Sequence, residues 1–431
     1  MSKSEPFHVH LKASNQNLVY GYPGLSDTLP RIMGVLEIRT RDGSPFTIIS
    51  IHAEINTKQS VSVSETIFTS KEAEKTTQAF SRLVYNNSSM AKPILGLDVP
   101  FLIPLPSTIQ TSVKNEAWGF RTDNYLSFKL VYNKAREVSY WDFLVPIKRF
   151  DTLPALPVFA KPIVGSFASW DGKYNVEYSI PYQSFSWDDE IIVYIRVAAI
   201  GTGSSKLKLR RIQLELKEAV EVYQTGFPIK QKTVITAVKE FDGEAGRLQG
   251  SGVSCKLQLN LERYDIPSEK QINSAGLAAT TSPIINQRLS PNTHSPLNSM
   301  TRVNTTIKDN VPIGLPSSHI RSFSIEGGLF SLRHSLNFKI KVSRGKDSTY
   351  SQDIYICPFK TSDADLIYRA VQSERLKVPE RYRKMTLSQL SETMLQKPII
   401  YNTNSVHDWE KLGLSKRTLG GTGKYLSHVL D

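Results

Sequence analysis

The sequence predicts an all-β protein: a tandem of antiparallel β-sandwiches with a disordered insertion and a partly helical C-terminal tail. Apolar and polar residues alternate in many segments, and this period of two lets a strand bury one face while the other meets water. The pattern occurs at residues 7–13, 49–55, 126–132, 174–180, 191–197, 255–261 and 336–342. Strands of purely parallel sheets form unbroken apolar runs instead, so antiparallel sheets are favoured.

The chain has 431 residues, which is too long for one compact sandwich. We expect a first sandwich at residues 1–155, a second at residues 156–360, and a tail with short helices at residues 361–431. Residues 151–162 are spaced by prolines, so this segment is predicted to be an extended, stiff connection. In the tail, Thr386 and Gln389 have the spacing of a capping box for a helix ending near Gln396.

Three local features depart from simple alternation. Residues 70–80 lack an apolar face and are predicted to form a short helix or a polar loop. The alternation changes phase at Arg210 and Arg211, which predicts a β-bulge. No aromatic residue occurs from residue 265 to residue 322, so about residues 266–318 are predicted to be a disordered insertion.

The composition indicates a cytosolic or nuclear protein with anionic partners. The N-terminus has no apolar stretch of the signal-peptide type, and no apolar run approaches the roughly 20 residues that span a bilayer. Cys255 and Cys357 both lie in predicted strands, so we expect buried, reduced thiols. The net charge of +13 favours anionic partners such as phospholipid headgroups, phosphorylated tails or nucleic acid, and charge alone does not choose among them. No nucleic-acid partner is expected, because the cations are scattered and no recognisable nucleic-acid module occurs.

The candidate anion-binding site is a row of cations at the start of a predicted strand, on the face opposite two leucines. Its members are Lys206, Lys208, Arg210 and Arg211. Such a row could bind a phosphorylated tail or an anionic membrane surface. The alternative is an ordinary solvated sheet face, on which lysine also discourages edge-to-edge pairing.

Three serines followed by proline lie within the predicted insertion and are candidate phosphorylation sites: Ser282, Ser290 and Ser295. A proline-directed kinase needs an accessible, extended substrate, and each phosphate would add roughly −1.5 to −2 charges to a basic protein. The alternative is that Ser and Pro simply co-occur in disordered loops. No catalytic, cofactor-binding or metal-binding residue is predicted, and no cofactor is expected.

Several segments resemble the arrestin family. Residues 100–107, the strand at 125–132 and the basic exit at 148–150 resemble the end of an arrestin-like N-terminal domain. Residues 186–193 and the following strands resemble the first half of an arrestin-like C-terminal domain, and residues 336–359 look like its closing hairpin. Within this family the chain is most similar to the fungal arrestin-related trafficking adaptors.

The resemblance implies a two-sandwich cytosolic scaffold that engages membrane transporters or receptors. Most such adaptors recruit a HECT-type ubiquitin ligase, whose WW domains bind Pro-Pro-x-Tyr segments. This sequence contains no such segment. The nearest candidate runs from Pro379 to Tyr382, with Glu380 in place of the second proline, and its alternative is a solvated helix edge. Ligase recruitment could therefore be direct, pass through another adaptor, or be absent.

The expected function is a non-enzymatic adaptor, cytoplasmic and peripheral to the plasma membrane or endosomes. It would bind cytosolic segments of membrane proteins and promote their ubiquitin-dependent endocytosis or sorting. One alternative is an arrestin-fold subunit of a sorting or coat complex, similar to retromer, acting without direct ligase recruitment. A second is a sandwich glycosidase. Such an enzyme needs two catalytic carboxylates roughly 5–10 Å apart, and no such pair can be identified in the sequence.

Overall fold

The computed structural model describes nine stretches of the chain. They are residues 5–12, 18–64, 70–87, 92–201, 206–227, 229–248, 250–261, 322–393 and 396–414. The predicted insertion at about 266–318 lies outside the described residues. The candidate phosphorylation sites Ser282, Ser290 and Ser295 therefore lie outside them as well.

Twenty strands and four helices make up the described structure, and the all-β prediction is confirmed. The strands of the first half are β1 (Phe7–Leu11), β2 (Val19–Tyr20), β3 (Arg31–Thr40), β4 (Ile48–Ser64), β5 (Ser70–Asn86), β6 (Ile94–Pro104), β7 (Val113–Asn115), β8 (Phe120–Tyr132) and β9 (Glu137–Leu144). Those of the second half are β10 (Ile163–Ala168), β11 (Tyr174–Ile180), β12 (Ser184–Ser186), β13 (Glu190–Ala199), β14 (Lys208–Val222), β15 (Lys230–Glu240), β16 (Val253–Asn260), β17 (Ile325–Glu326), β18 (Phe330–Ser343), β19 (Ser348–Cys357) and β20 (Ile399–Asn402). The helices are α1 (Thr361–Lys377), α2 (Glu380–Arg383), α3 (Leu387–Thr393) and α4 (Val406–Lys411).

Four sheets arise from these strands. One has the order β1-β3-β6-β20 with β2 added to β3, and a second has the order β5-β4-β8-β7 with β9 added to β8. The third is β10-β11-β13-β16, and the fourth is β12-β19-β18-β14-β15 with β17 added to β18. Pairing in the described sheets is antiparallel, with the exception of β12 on β19. We call the first two sheets the first lobe and the other two the second lobe.

Each lobe has its own hydrophobic core, formed by the inward residues of the alternating strands. In the first lobe, Leu36 and Ile38 from β3 and Phe128 from β8 belong to one buried cluster. In the second lobe, Val193 from β13 and Phe338 from β18 belong to another. The domain boundaries at residues 155 and 360 stay predictions, because the strand order of the sheets does not fix the residue at which one domain ends and the next begins.

The two lobes are in contact at the half of the β4–β5 hairpin that lies next to its turn. The core of the second lobe includes three residues from strands of the first lobe: Val61, Ala73 and Phe120. The ring centroids of Phe120 and Phe330 lie 4.5 Å apart. Gln59 Oε1 accepts the backbone N–H groups of residues 328 and 329 at 3.1 and 3.0 Å. The hairpin therefore connects the lobes by both apolar and polar contacts.

Two segments differ from the prediction made for them. Residues 70–80 are neither helix nor loop but part of the long strand β5, which is held by its pairing with β4 along most of its length. Residues 151–162 do not form an extended connection but a series of turns, because Leu153, Leu156 and Phe159 turn inward to a third buried cluster. That cluster also contains Phe359 and Ile367, so it joins the connection to α1.

The C-terminal part carries short helices, as predicted, and it returns to the first lobe. The capping box is confirmed: the Thr386 N–H donates to Gln389 Oε1 at 2.9 Å, and the Gln389 N–H donates to Thr386 Oγ1 at 3.3 Å. Strand β20 then pairs with the edge strand β6, an addition that the sequence did not predict. Trp409 in α4 is buried and donates its indole N–H to the Thr403 carbonyl, which anchors this last segment.

Candidate functional site

The predicted row of cations lies at the start of β14, at one end of the second lobe. Leu207 and Leu209 point into the core, as their alternation predicted. The predicted bulge is present: β14 pairs with β18 at Leu209 and again at Arg211, so Arg210 has no opposite residue on that strand. Because residues 209 and 212 are both buried, the bulge turns both arginines outward.

The row contains cations that are available to an anion. Within the described part of the chain, the side chains of Lys206 and Arg210 are exposed and form no ion pair. Arg211 is half-buried, and its Nε atom is buried without a hydrogen-bond partner. Lys341 lies opposite Arg211 on β18 and is exposed, so the bulge gathers cations from two strands. The arrangement can bind a carboxylate or phosphate group, but no catalytic group belongs to it.

A buried polar network lies at the contact between the lobes, and the sequence reasoning did not find it. Glu218 from β14 is only 1% exposed, and its Oε2 accepts the indole N–H of Trp118 from the first lobe at 2.9 Å. His334 Nε2 lies 3.5 Å from Glu218 Oε1, and its Nδ1 lies 3.0 Å from Ser324 Oγ. Lys232 Nζ approaches the same carboxylate at 3.2 Å.

The network resembles a serine–histidine–acid relay, but its contacts are those of a structural element. The Ser324 oxygen also accepts the Ile356 backbone N–H at 2.9 Å, which ties the hydroxyl into the strand arrangement. The Glu218 carboxylate holds the Trp118 indole of the other lobe and not the histidine alone. A cavity of about 300 Å³ next to His334 is lined by residues from both lobes and from their connection. No group of three or more metal-ligating side chains occurs among the residues that the structure describes.

The predicted ligase-binding segment is folded into the protein. Pro379 precedes the short helix α2, and Tyr382 is 4% exposed in a cluster with Leu29, Val378 and Leu390. A WW domain binds its ligand as an extended, accessible polyproline helix. In this conformation the segment offers neither the extended backbone nor the tyrosine ring to such a domain.

Both cysteines are buried and unpaired, as expected from their strand positions. Burial raises the pKa of the Cys357 thiol to about 12, with smaller opposing effects from nearby hydrogen bonds and from Lys148. A thiol in this state is a poor nucleophile at neutral pH. Neither cysteine therefore adds a reactive group to the surfaces described above.

Comparison with known proteins finds a relative at low identity. The chain is 26% identical over 298 residues to a protein of Saccharomyces cerevisiae named RHO1 GEF localizing protein 1. The match covers 54% of this chain and 61% of the relative, so it spans less than two thirds of the relative's own length. No family model matches the chain. In the described residues, none of the helices has the length and apolar character needed to cross a membrane.

Proposed function

We propose that this chain is a non-enzymatic, two-lobed scaffold that binds a guanine-nucleotide exchange factor (GEF) and holds it at a membrane. The observation that carries the proposal is the match to a yeast protein named for localising the GEF of RHO1. The match extends over more than half of this chain, so it concerns more than one short motif. A localising protein needs surfaces for two partners, and a pair of packed β-sandwiches supplies such surfaces without a catalytic centre.

The structure supports a scaffold through the contacts between its lobes. The β4–β5 hairpin, the Trp118–Glu218 hydrogen bond and the cluster around Leu153 all link one lobe to the other. Partners bound to different lobes would therefore be held together by one packed body. The cations at the β14 bulge suit an acidic or phosphorylated segment of a protein partner.

The second candidate is a trafficking adaptor of the arrestin type, and the antiparallel two-sheet construction of each lobe favours it. In this role the chain would bind cytosolic tails of membrane transporters or receptors at the plasma membrane or endosomes. Because Tyr382 is buried, a HECT-type ligase would have to be reached through another adaptor. A stable coat or sorting subunit, acting without a ligase, is the remaining form of this candidate.

The decisive experiment is affinity purification of the tagged full chain from the cells that produce it, followed by identification of the co-purifying proteins. We expect a GEF for a Rho-type GTPase, and we expect Arg210→Glu to reduce its recovery because this change reverses a charge at the bulge. The matched control is Lys134→Glu, which makes the same kind of change at an exposed turn of the first lobe. Recovery of transporters or of stoichiometric coat subunits, without a GEF, would favour the second candidate.

A further inference from the structure

An exposed tryptophan lies at the end of the second lobe. Trp170 is 84% exposed and occupies the turn between β10 and β11. Burial of such a large apolar ring is favourable, so its display to solvent at a loop end is uncommon for a residue without a partner. Ile200, which is 47% exposed, lies beside this turn, because its N–H donates to the Lys173 carbonyl at 2.8 Å.

The turn that carries Trp170 is fixed by hydrogen bonds. The Ser169 hydroxyl accepts the N–H groups of Lys173 and Tyr174 at 3.0 and 3.1 Å and donates to Asp171 Oδ1 at 2.8 Å. Gly172, with φ of +67°, completes the turn without steric strain. The tryptophan is therefore presented on a preorganised support, which reduces the entropy lost when it binds.

A second turn, between β18 and β19, packs beside the first and brings cations to it. The Lys346 N–H donates to Asp171 Oδ2 at 3.1 Å, and Lys173 Nζ donates to the Arg344 carbonyl at 3.3 Å. The side chains of Arg344 and Lys346 are exposed, and within the described chain neither forms an ion pair. Lys206 is exposed next to Leu207, whose side chain lies against Gly345.

We call Trp170, Ile200, Lys206, Arg344 and Lys346 the tip. Two acids lie among them: Asp171, whose oxygens are engaged within the turns, and the exposed Asp347. Cations thus outnumber the acids that face solvent.

We propose that the tip docks on the surface of an anionic phospholipid bilayer. Trp170 and Ile200 would lie at the boundary between headgroups and acyl chains, where an aromatic ring with one polar N–H is favoured. Lys206, Arg344 and Lys346 would bind the headgroup phosphates, each cation adding attraction to the negative surface. Charge complementarity favours a bilayer, because the tip combines a protruding apolar anchor with three exposed cations. The inference deepens the proposed function, since a scaffold that holds a GEF at a membrane needs a membrane contact.

The test measures co-sedimentation of the purified full chain with phosphatidylcholine vesicles, with and without phosphatidylserine. We expect binding only to the anionic vesicles, with loss at high salt because surface charges are then screened. The double change Arg344→Ser and Lys346→Ser should weaken binding about 30-fold, from about 1 kcal/mol for each cation. Trp170→Ala should weaken it about tenfold, through the lost apolar burial.

Matched controls come from the first lobe. Lys134→Ser with Arg136→Ser changes a lysine and an arginine on another exposed turn, and Arg136 shares the positive φ of Arg344. Tyr140→Ala removes another exposed aromatic ring. Both controls should bind vesicles like the unchanged chain.

Two results would overturn the lipid proposal. One is equal binding by the tip variants and the controls. The other is unchanged vesicle binding by Trp170→Ala together with loss of a co-purifying protein, which would make the tip a protein-binding site. Because the vesicle assay contains no GEF, its failure leaves the GEF proposal intact, and a failure to recover a GEF leaves the vesicle result intact.

Discussion

Replacement of Trp118 by phenylalanine tests whether the first lobe stabilises the second. The change removes the indole N–H that donates to Glu218 at 2.9 Å and keeps an aromatic ring beside Lys232. A hydrogen bond to a charged group contributes about 1.5–3 kcal/mol, and Glu218 is 1% exposed, so water cannot easily replace the lost donor. Lys232 still faces the carboxylate, so we expect a loss of about 2 kcal/mol.

The two cysteines provide the assay. Cys255 and Cys357 are the only cysteines of the chain, and both are buried in the second lobe. When a protein opens and recloses quickly, the rate of thiol labelling under native conditions follows the free energy of opening. A loss of about 2 kcal/mol corresponds to labelling about 30 times faster.

Trp141→Phe is the matched control. Its indole N–H donates to the Ser139 hydroxyl, within the first lobe, at 2.8 Å. This change should leave the labelling of both cysteines close to that of the unchanged protein. Equal labelling of Trp118→Phe and the unchanged protein, or equal acceleration by both variants, would refute the idea that the lobe contact supports the second sandwich.

Three further predictions concern a glycine turn, a helix cap and a buried lysine. Gly119→Ala should lower the free energy of unfolding by about 3 kcal/mol or more in urea denaturation, because φ is +70° and the added Cβ would lie 2.1 Å from a backbone oxygen. Gly172 has a similar φ but open space around it, so Gly172→Ala should lower the free energy of unfolding by only about 1 kcal/mol. Thr386→Ala should cost about 1 kcal/mol and speed amide exchange in α3, and unchanged exchange would contradict the role of the cap. Burial lowers the pKa of Lys148 from 10.5 to about 8, against weaker opposing effects of a thiol and a carboxylate. Between these two pKa values the unfolded state binds more protons than the folded state. The free energy of unfolding, measured in urea, should therefore rise relative to that of Lys148→Met as the pH increases from about 8 to 10.5.

Alternation in the sequence predicted the strands that bury one face. The segments containing Phe7, Phe128, Tyr178, Val193 and Phe338 all form strands with these residues in a core. The phase change at residues 210 and 211 predicted the bulge for the same reason, since an extra residue is needed to keep both flanking apolar residues inside. Where burial decides the structure, the sequence carries a readable signal.

Structure that depends on pairing or on distant contacts left no such signal. In β5, only Ala73 is buried among residues 71–78, so the strand follows from its hydrogen bonds to β4 and not from an apolar face. Strand β20 likewise forms because β6 offers an open edge, and three of its four residues remain exposed. Prolines in 151–162 indicated extension, but burial of Leu153 and Leu156 outweighed that preference.

The candidate sites also differ in whether the sequence alone could reveal them. The cations at residues 206–211 are consecutive enough in sequence to be recognised as a row. Trp118, Glu218 and His334 are separated by about a hundred residues at each step, so only the folded chain brings them together. The tip was missed because Trp170 and the turn with Arg344 lie in different hairpins, joined through the side chain of Asp171.

Strand β14 links the tip to the contact between the lobes. It begins at Lys208, beside the tip, and ends at Val222, opposite Phe330, whose ring touches Phe120 of the first lobe. Fifteen residues at about 3.3 Å each separate its two ends by about 45 Å. If the tip rests on a bilayer with β14 along the membrane normal, the contact between the lobes lies far from the headgroups, beyond the Debye length of about 8 Å at physiological ionic strength. A protein bound to the first lobe would not compete with lipid for the cations of the tip, whereas a protein bound at Arg210 would lie beside the bilayer, since the bulge and the tip share one end of β14.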